Sequence, residues 1–580
     1  MSGSSLIIDR NVEMHTRDGV ILRADVIRPN TDERLPVLLQ RTPYGKLAAT
    51  NSFAVMAAER GYVVVNQDTR GRWDSEGDGT PFIHEKRDGF DAVQWAAALP
   101  WSNGDVGMFG GSYVGYTQMA AASQQPPALR TIIPAVTFCD AYRLIYPGGA
   151  FALGLVTSWG LGSQAAMALM QMAAGEAKDR KMAELIDQVN GIARRAGARG
   201  DTFYHLPLQT MPLIGKGGVS TFLSDLLTHP SSSAQHWQSL RVPFESIQIP
   251  TFQIGGWYDI FAGDTLLDYA GIGAAGKAKQ KVLMGPWLHG PLSGLVGDVD
   301  FGYQADDATL MSAEWQLRWF DRWLKGKRNG IDEEPPIRLF VMGDNVWRDE
   351  ETWPLARARP TECFLHSGGA ANTLDGDGVL SFEGPGDEPG DKTLDTFVYD
   401  PGNPVPTLGG GLCCSNTAMA AGAYDQREIE SRPDVLVYTS DLLQEDLEVT
   451  GPVVAKLWAA TSGRDTDFTA KLVDVGPCGY ARNVADGVIR ARYRLSTAEA
   501  RFVERDKAYE YSIELGPTSN VFKAGHRIRI EVSSSNFPKI ARNPNTGADI
   551  GMTSALVPAV QRVLHDAEHP SCVILPIVPR

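Results

Sequence analysis

The chain is poor in cysteine, in net positive charge and in uninterrupted apolar runs. Six cysteines are spread over 580 residues, at positions 139, 363, 413, 414, 478 and 572, and no two form a C-x-x-C. That excludes a disulfide-framed secreted module, a zinc ribbon and a dithiol redox motif. The adjacent Cys413 and Cys414 read as reduced packing rather than a vicinal disulfide. Lys and Arg number 54 against 69 Asp and Glu, a formal net charge of −15. Such a surface repels nucleic acid and anionic membrane, so neither is an expected partner. The first ten residues lack a basic segment followed by an apolar one. The longest apolar-looking stretch, 148–174, is broken by Ser158, Gly160, Ser163 and Gln164, and reads as buried or cap helix. A cytoplasmic protein is the resulting expectation.

What is present is a three-part rhythm. In the first third, β-branched runs alternate with helical patterns. Strands are expected at 35–40, 62–68, 105–109 and 130–136, with helices at 53–61 and 84–99. Nearly continuous apolar strands between helices indicate a parallel sheet covered on both faces. The rhythm stops between about 141 and 241, where Ala, Met, Gln and Lys at 165–198 suggest helices. It resumes with strands at 249–254 and 281–284 and an amphipathic helix at 314–325. Beyond about residue 350, turn residues recur at short intervals and strands are expected at 453–459, 468–475, 488–493, 509–514, 527–533 and 572–577. The expected division is 1–145 and 241–350 for an α/β core, 146–240 for a helical cap inserted in it, and 351–580 for an all-β sandwich.

The sharpest chemical signal is Phe109-Gly-Gly-Ser112-Tyr-Val-Gly115, between an expected strand and an expected helix. A nucleophile elbow needs that setting, because the tight turn requires small flanking residues and the helix N-terminus supplies an amide for an oxyanion. The usual glycine two residues after the serine is Val114 here, with glycine one later. In such folds the acid and then the histidine follow the serine along the chain. Asp259 ends Gly255-Gly-Trp-Tyr-Asp259 just past one expected strand. His289 ends Gly285-Pro-Trp-Leu-His289 just past the next. Carboxyl ends of strands are where open α/β sheets build their sites.

Those segments resemble the cocaine-esterase-like hydrolases, relatives of X-prolyl dipeptidyl peptidases and α-amino acid ester hydrolases. The resemblance runs from about Val12 to Arg580. It includes Arg41-Thr-Pro-Tyr44, Gln67-Asp-Thr-Arg-Gly71, Asp467-Phe-Thr-Ala-Lys-Leu-Val-Asp474 and Ser533-Ser-Ser-Asn-Phe-Pro538 besides the three motifs above. It implies an α/β-hydrolase core, a helical cap and a C-terminal jelly roll, and it makes Gly-x-Ser-Tyr-x-Gly the ordinary elbow. It also implies that Tyr44 through its hydroxyl and Tyr113 through its backbone N–H form the oxyanion hole. Trp159 and Phe261 match substrate-pocket aromatics, whereas Cys414 stands where the resemblance would place an aromatic ring.

The sequence therefore leads to a serine esterase acting on a small-molecule ester, with Ser112, His289 and Asp259 as triad and no metal or organic cofactor. An amidase, acylase or acyl transferase is the alternative among enzymes. A carbohydrate-binding protein on an inactive hydrolase fold is the rival of another class. Glu428, Glu430 and Asp441 read as a solvated acidic face, and His565 and His569 as a pair short of a third metal ligand. Oligomeric state stays open, a homodimer being one option.

Overall fold

The computed structural model describes residues 5–47, 52–193, 202–276, 278–386, 393–414 and 418–580. Ten strands form the first sheet: β1 (Leu6–His15), β2 (Ile21–Pro29), β3 (Leu35–Thr42), β4 (Val63–Asp68), β5 (Ser102–Gly111), β6 (Leu129–Ala135), β7 (Thr251–Tyr258), β8 (Gln280–Leu288), β9 (Ile337–Val341) and β10 (Val346–Glu350). Their order is β1-β2-β4-β3-β5-β6-β7-β8-β9-β10. From β4 through β9 neighbouring strands are parallel, and antiparallel strands close both edges.

The strand residues explain this architecture. β4 and β7 are buried along their whole length, and successive side chains serve opposite faces. Val37, Leu39, Val63 and Val65 join helices α2 (Glu85–Ala97) and α3 (Tyr113–Ser123) in one core. Leu38, Val64, Phe109 and Ile133 join helix α1 (Ser52–Glu59) and the helix Ser312–Leu324 in another. Each such side chain, fully buried, contributes about 1.5–3 kcal/mol. The expected core strands are all found. The edge strands β1 and β2 were not expected: β1 alternates between half-buried and exposed positions and lacks a continuous apolar run.

The segment between β6 and β7 is helical, with helices at Ala141–Ile145, Leu153–Trp159, Ala166–Gln171, Glu176–Ala193, Phe222–Leu227 and Gln235–Leu240. The last part of the helical expectation, 194–198, lies outside the described residues. The apolar stretch from 148 enters the structure as short helices, including a π-helical turn at Gly160–Ala165. No described helix is long and apolar enough to cross a membrane.

After β10 the chain builds an eleven-stranded all-β sheet with its own core, including Phe468, Tyr511, Ile530 and Leu575. One expected strand is corrected. The stretch 488–493 leaves the sheet after Arg490, and Ala491–Tyr493 form a 3-10 turn. Buried Arg492 there pairs with buried Asp465 at 2.7 Å, and the Tyr493 ring packs against Gly149, where a Cβ would lie 2.4 Å from it. The acidic-face reading is also corrected for Glu430. It is fully buried and its carboxylate accepts from Arg529 at 2.6 Å.

Candidate active site

Ser112 sits between the end of β5 and the first turn of α3 with φ 60 and ψ −129. This backbone state is costly for a residue with a side chain, on the order of 1–3 kcal/mol. Four hydrogen bonds hold it: Ser112 N donates to Ala135 O at 2.9 Å, and its carbonyl accepts from Gly115 N, Tyr116 N and Thr137 Oγ1. The shifted glycine has a physical reason. A Cβ on Gly115 would stand 2.6 Å from Thr137 Cβ and 3.0 Å from Ala135 O, so α3 reaches the end of β6 only if residue 115 is bare. Val114 instead covers Gly110, whose own Cβ would lie 2.4 Å from Val114 Cγ1.

Asp259 and His289 follow the ends of β7 and β8 and meet Ser112. His289 Nδ1 lies 2.9 Å from Asp259 Oδ1, and His289 Nε2 lies 3.1 Å from Ser112 Oγ. The Asp259 side chain is fully buried and that of His289 nearly so. Burial pushes the imidazole pKa down, but the charge and hydrogen bond of Asp259, helped by Cys414, outweigh it and hold the pKa above the ordinary value. Phe261 sets its ring edge-on to the imidazole at 5.2 Å.

Tyr44 follows β3. Its backbone N–H donates to Thr42 Oγ1, and the Trp73 indole donates to the neighbouring Pro43 carbonyl while packing on Gly45. The Tyr44 hydroxyl accepts from Trp159 Nε1 at 3.2 Å. Tyr44 as a whole is 39% exposed. Burial of its hydroxyl end nevertheless pushes the phenol up to about 12, against the Trp159 donor. Tyr113 is the first residue of α3, so its backbone N–H has no acceptor within the helix. Its side chain turns inward: the hydroxyl donates to Glu85 Oε1 at 3.0 Å and accepts from Phe82 N at 2.8 Å. Glu85 also accepts from buried Arg41 at 2.7 Å.

The other sequence candidates fall in the same place. Trp159 stacks on Phe82 and packs on Tyr113 and Phe222, and Phe261 stacks on Phe138. Cys414, with Cys413, enters from the all-β domain close enough to His289 for the two groups to shift each other. Phe82, Phe138, Phe222 and Glu85 were not picked out from sequence; isolated aromatics and one acid on a helix carry no local signature. His565 and His569 do not converge. His565 lies 3.2 Å from Asp395 and His569 3.0 Å from Asp566. Among the described residues no group of three or more His, Cys, Asp or Glu could hold a metal ion.

A cavity of about 600 Å³ opens behind Asp259, between core, cap and all-β domain. Its wall includes Asp259, Asp264 and Arg143 but not Ser112, His289 or Tyr44. Around Ser112, His289 and Tyr44 stand instead the rings of Phe261, Tyr113 and Trp159.

Known proteins are similar to this chain along nearly its whole length. Residues 18–291 match the X-Pro dipeptidyl-peptidase S15 family, and residues 329–574 match the X-Pro dipeptidyl-peptidase C-terminal non-catalytic domain. The first match contains Ser112, Asp259 and His289. Cocaine esterase of Rhodococcus sp. (strain MB1 Bresler) is 38% identical over 98% of this chain and 98% of its own. A solved α-amino acid ester hydrolase is 25% identical with a TM-score of 0.81, covering 99% of this chain and 97% of its own. An aminopeptidase from a marine sediment Thaumarchaeota archaeon is 26% identical with a TM-score of 0.77, covering 100% and 97%. By its sequence over nearly the whole length and by its two-part fold, the chain belongs to the cocaine-esterase-like family of serine hydrolases.

Proposed function

We propose that the chain hydrolyses small-molecule carboxylic esters through an acyl-enzyme on Ser112. The observation that carries this reading is the unbroken contact chain Asp259–His289–Ser112 at 2.9 and 3.1 Å. Ser112 Oγ attacks the ester carbonyl while His289 Nε2 takes its proton. Asp259 holds the Nδ1–H tautomer and stabilises the imidazolium. The tetrahedral oxyanion lies between the Tyr113 N–H and the Tyr44 hydroxyl. His289 then protonates the leaving alcohol and activates the water that clears the acyl group. Trp159, Phe261 and Cys414 line the substrate cleft. The six cysteines, none of them disulfide-bonded, suit a cytoplasmic setting that keeps thiols reduced.

An amidase, acylase or acyl transferase acting on amides or α-amino acid esters is the second reading, favoured by the similarity to an α-amino acid ester hydrolase and an aminopeptidase. Fluorophosphonate labelling followed by peptide mass spectrometry tests the nucleophile. Ser112 carries the label in the active protein, and Ser112→Ala abolishes both labelling and turnover. Modification of another serine with Ser112 bare would overturn the assignment. Matched p-nitrophenyl esters and anilides graded by acyl size decide between the two readings.

A further inference from the structure

The loop Leu408–Cys414 of the all-β domain is clamped against the catalytic centre. Gly410 and Gly422 exchange backbone hydrogen bonds of 2.7 and 3.0 Å. A Cβ on Gly411 would meet the Asp259 carbonyl at 2.8 Å. Buried Leu412 clusters with Met419 and Ala421, and Leu288, the residue before His289, packs against that cluster. At the tip, Cys414 has a left-handed φ of 58, and the Cys413 and Cys414 sulfurs face each other at 3.0 Å without a disulfide.

We propose that Cys413 and Cys414 form a reversible oxidation site at the rim of the catalytic centre, taking hydroperoxides as oxidant. The two sulfurs are already in contact, and the bond between adjacent cysteines closes a strained ring, the kind of disulfide that is readily reduced again. The local electrostatics divide their roles. The hydrogen bond between the two sulfurs, aided by the charge of His289, outweighs burial and draws the Cys414 thiol below its ordinary value. The same contact pushes Cys413 far up. Cys414, the one drawn down, is therefore the attacking cysteine of this proposal and Cys413 the resolving one. By contrast, burial pushes Cys363 up to about 12 and Cys572 up to about 11.

The chemistry balances. The Cys414 thiolate attacks one oxygen of the hydroperoxide, the O–O bond breaks, and an alcohol or water leaves with a proton. Cys413 sulfur then attacks the Cys414 sulfenic acid; the S–S bond forms and a second water leaves. Two thiols are oxidised and one hydroperoxide is reduced. A dithiol reductant reverses the step. The consequence reaches His289, because the Cys414 charge is one of the influences that raise its pKa. Oxidation removes that charge, and His289 then loses its proton at lower pH.

The test uses the full chain carrying Cys478→Ser, which removes the exposed cysteine. After treatment with hydrogen peroxide, the tryptic peptide Thr393–Arg427, which holds both thiols, loses about 2 Da, the mass of two hydrogens removed on disulfide formation. Dithiothreitol restores it. Cys413→Ser prevents the loss and leaves Cys414 as a sulfenic acid trapped by dimedone. In the oxidised enzyme the acid limb of kcat/KM moves to lower pH and returns on reduction. A peptide that stays reduced while other cysteines oxidise overturns the site. A disulfide that forms without moving the pH profile overturns its link to catalysis. Only the pH readout rests on the triad reading. Disulfide formation alongside failed Ser112 labelling would count against the triad and not against the oxidation site.

Discussion

The Trp159 indole N–H donates to the Tyr44 hydroxyl oxygen at 3.2 Å. A hydroxyl has one proton and two lone pairs. With a lone pair engaged by a cap residue, the Tyr44 proton is left for another acceptor, and the phenol is a stronger donor for it. The contact joins the helical segment between β6 and β7 to the loop after β3.

Tyr44→Phe keeps the ring and its edge contact with Tyr113 but removes the donor. Loss of one oxyanion donor typically costs about 10²–10³ in kcat. KM is expected to move far less, because the donor is stronger toward the charged tetrahedral oxygen than toward the neutral ester. Steady-state kinetics on one ester, beside the thermal midpoint, check this. Trp159→Phe is expected to lose less in kcat, since it weakens the donor without deleting it. A kcat for Tyr44→Phe within about threefold of wild type, far short of the usual loss, would remove Tyr44 from the hole.

The pH profile follows from Asp259. His289 is raised above its ordinary value of about 6.5, and only neutral imidazole accepts the serine proton. Ester kcat/KM therefore rises with pH through a midpoint above that value. Asp259→Asn removes the group that raises the imidazole, so the residual activity has its midpoint at lower pH. It is also expected to lose on the order of 10⁴ in kcat. An unchanged midpoint would show that another group governs the profile.

Gly115→Ala tests the displaced glycine of the elbow. The new methyl meets Thr137 and the Ala135 carbonyl at 3.0 Å or less, and overpacking of this kind costs about 1–3 kcal/mol. Gly162→Ala, where a Cβ meets nothing within 4 Å, is the control. Urea unfolding midpoints are expected to drop for the first and not for the second. Equal stability would mean that α3 can move off β6.

Glu85 stands between Arg41 and the Tyr113 hydroxyl, all three buried. Glu85→Ala strands the Arg41 charge in the interior, and breaking a buried pair from one side costs about 3–5 kcal/mol. Arg41→Met together with Glu85→Ala is expected to recover part of that loss, because the orphaned charge is gone. Denaturant titration of the single and double variants measures the coupling. Additive losses would show that Arg41 and Glu85 do not depend on each other.

The core strands, the helical interruption and the order Ser112, Asp259, His289 could be read along the chain because each rests on local pattern. Continuous apolar runs mark strands buried on both faces, and glycines mark the turn that exposes the serine. β1 escaped because an edge strand half in water has no such run, and 488–493 misled because its second half, Ala491–Tyr493, leaves the strand for a turn that packs Tyr493 on Gly149. Glu430 looked solvated because its partner Arg529 is 99 residues away. By itself the sequence determined the fold class and the order of the three candidate residues, both written in short segments. Only the tertiary structure decided how Phe82, Trp159 and Phe261 pack around these residues, how Glu85 anchors Tyr113, and that Cys414 of the all-β domain comes within electrostatic reach of His289. Those relations are contacts between distant segments, created when three separately patterned units pack together.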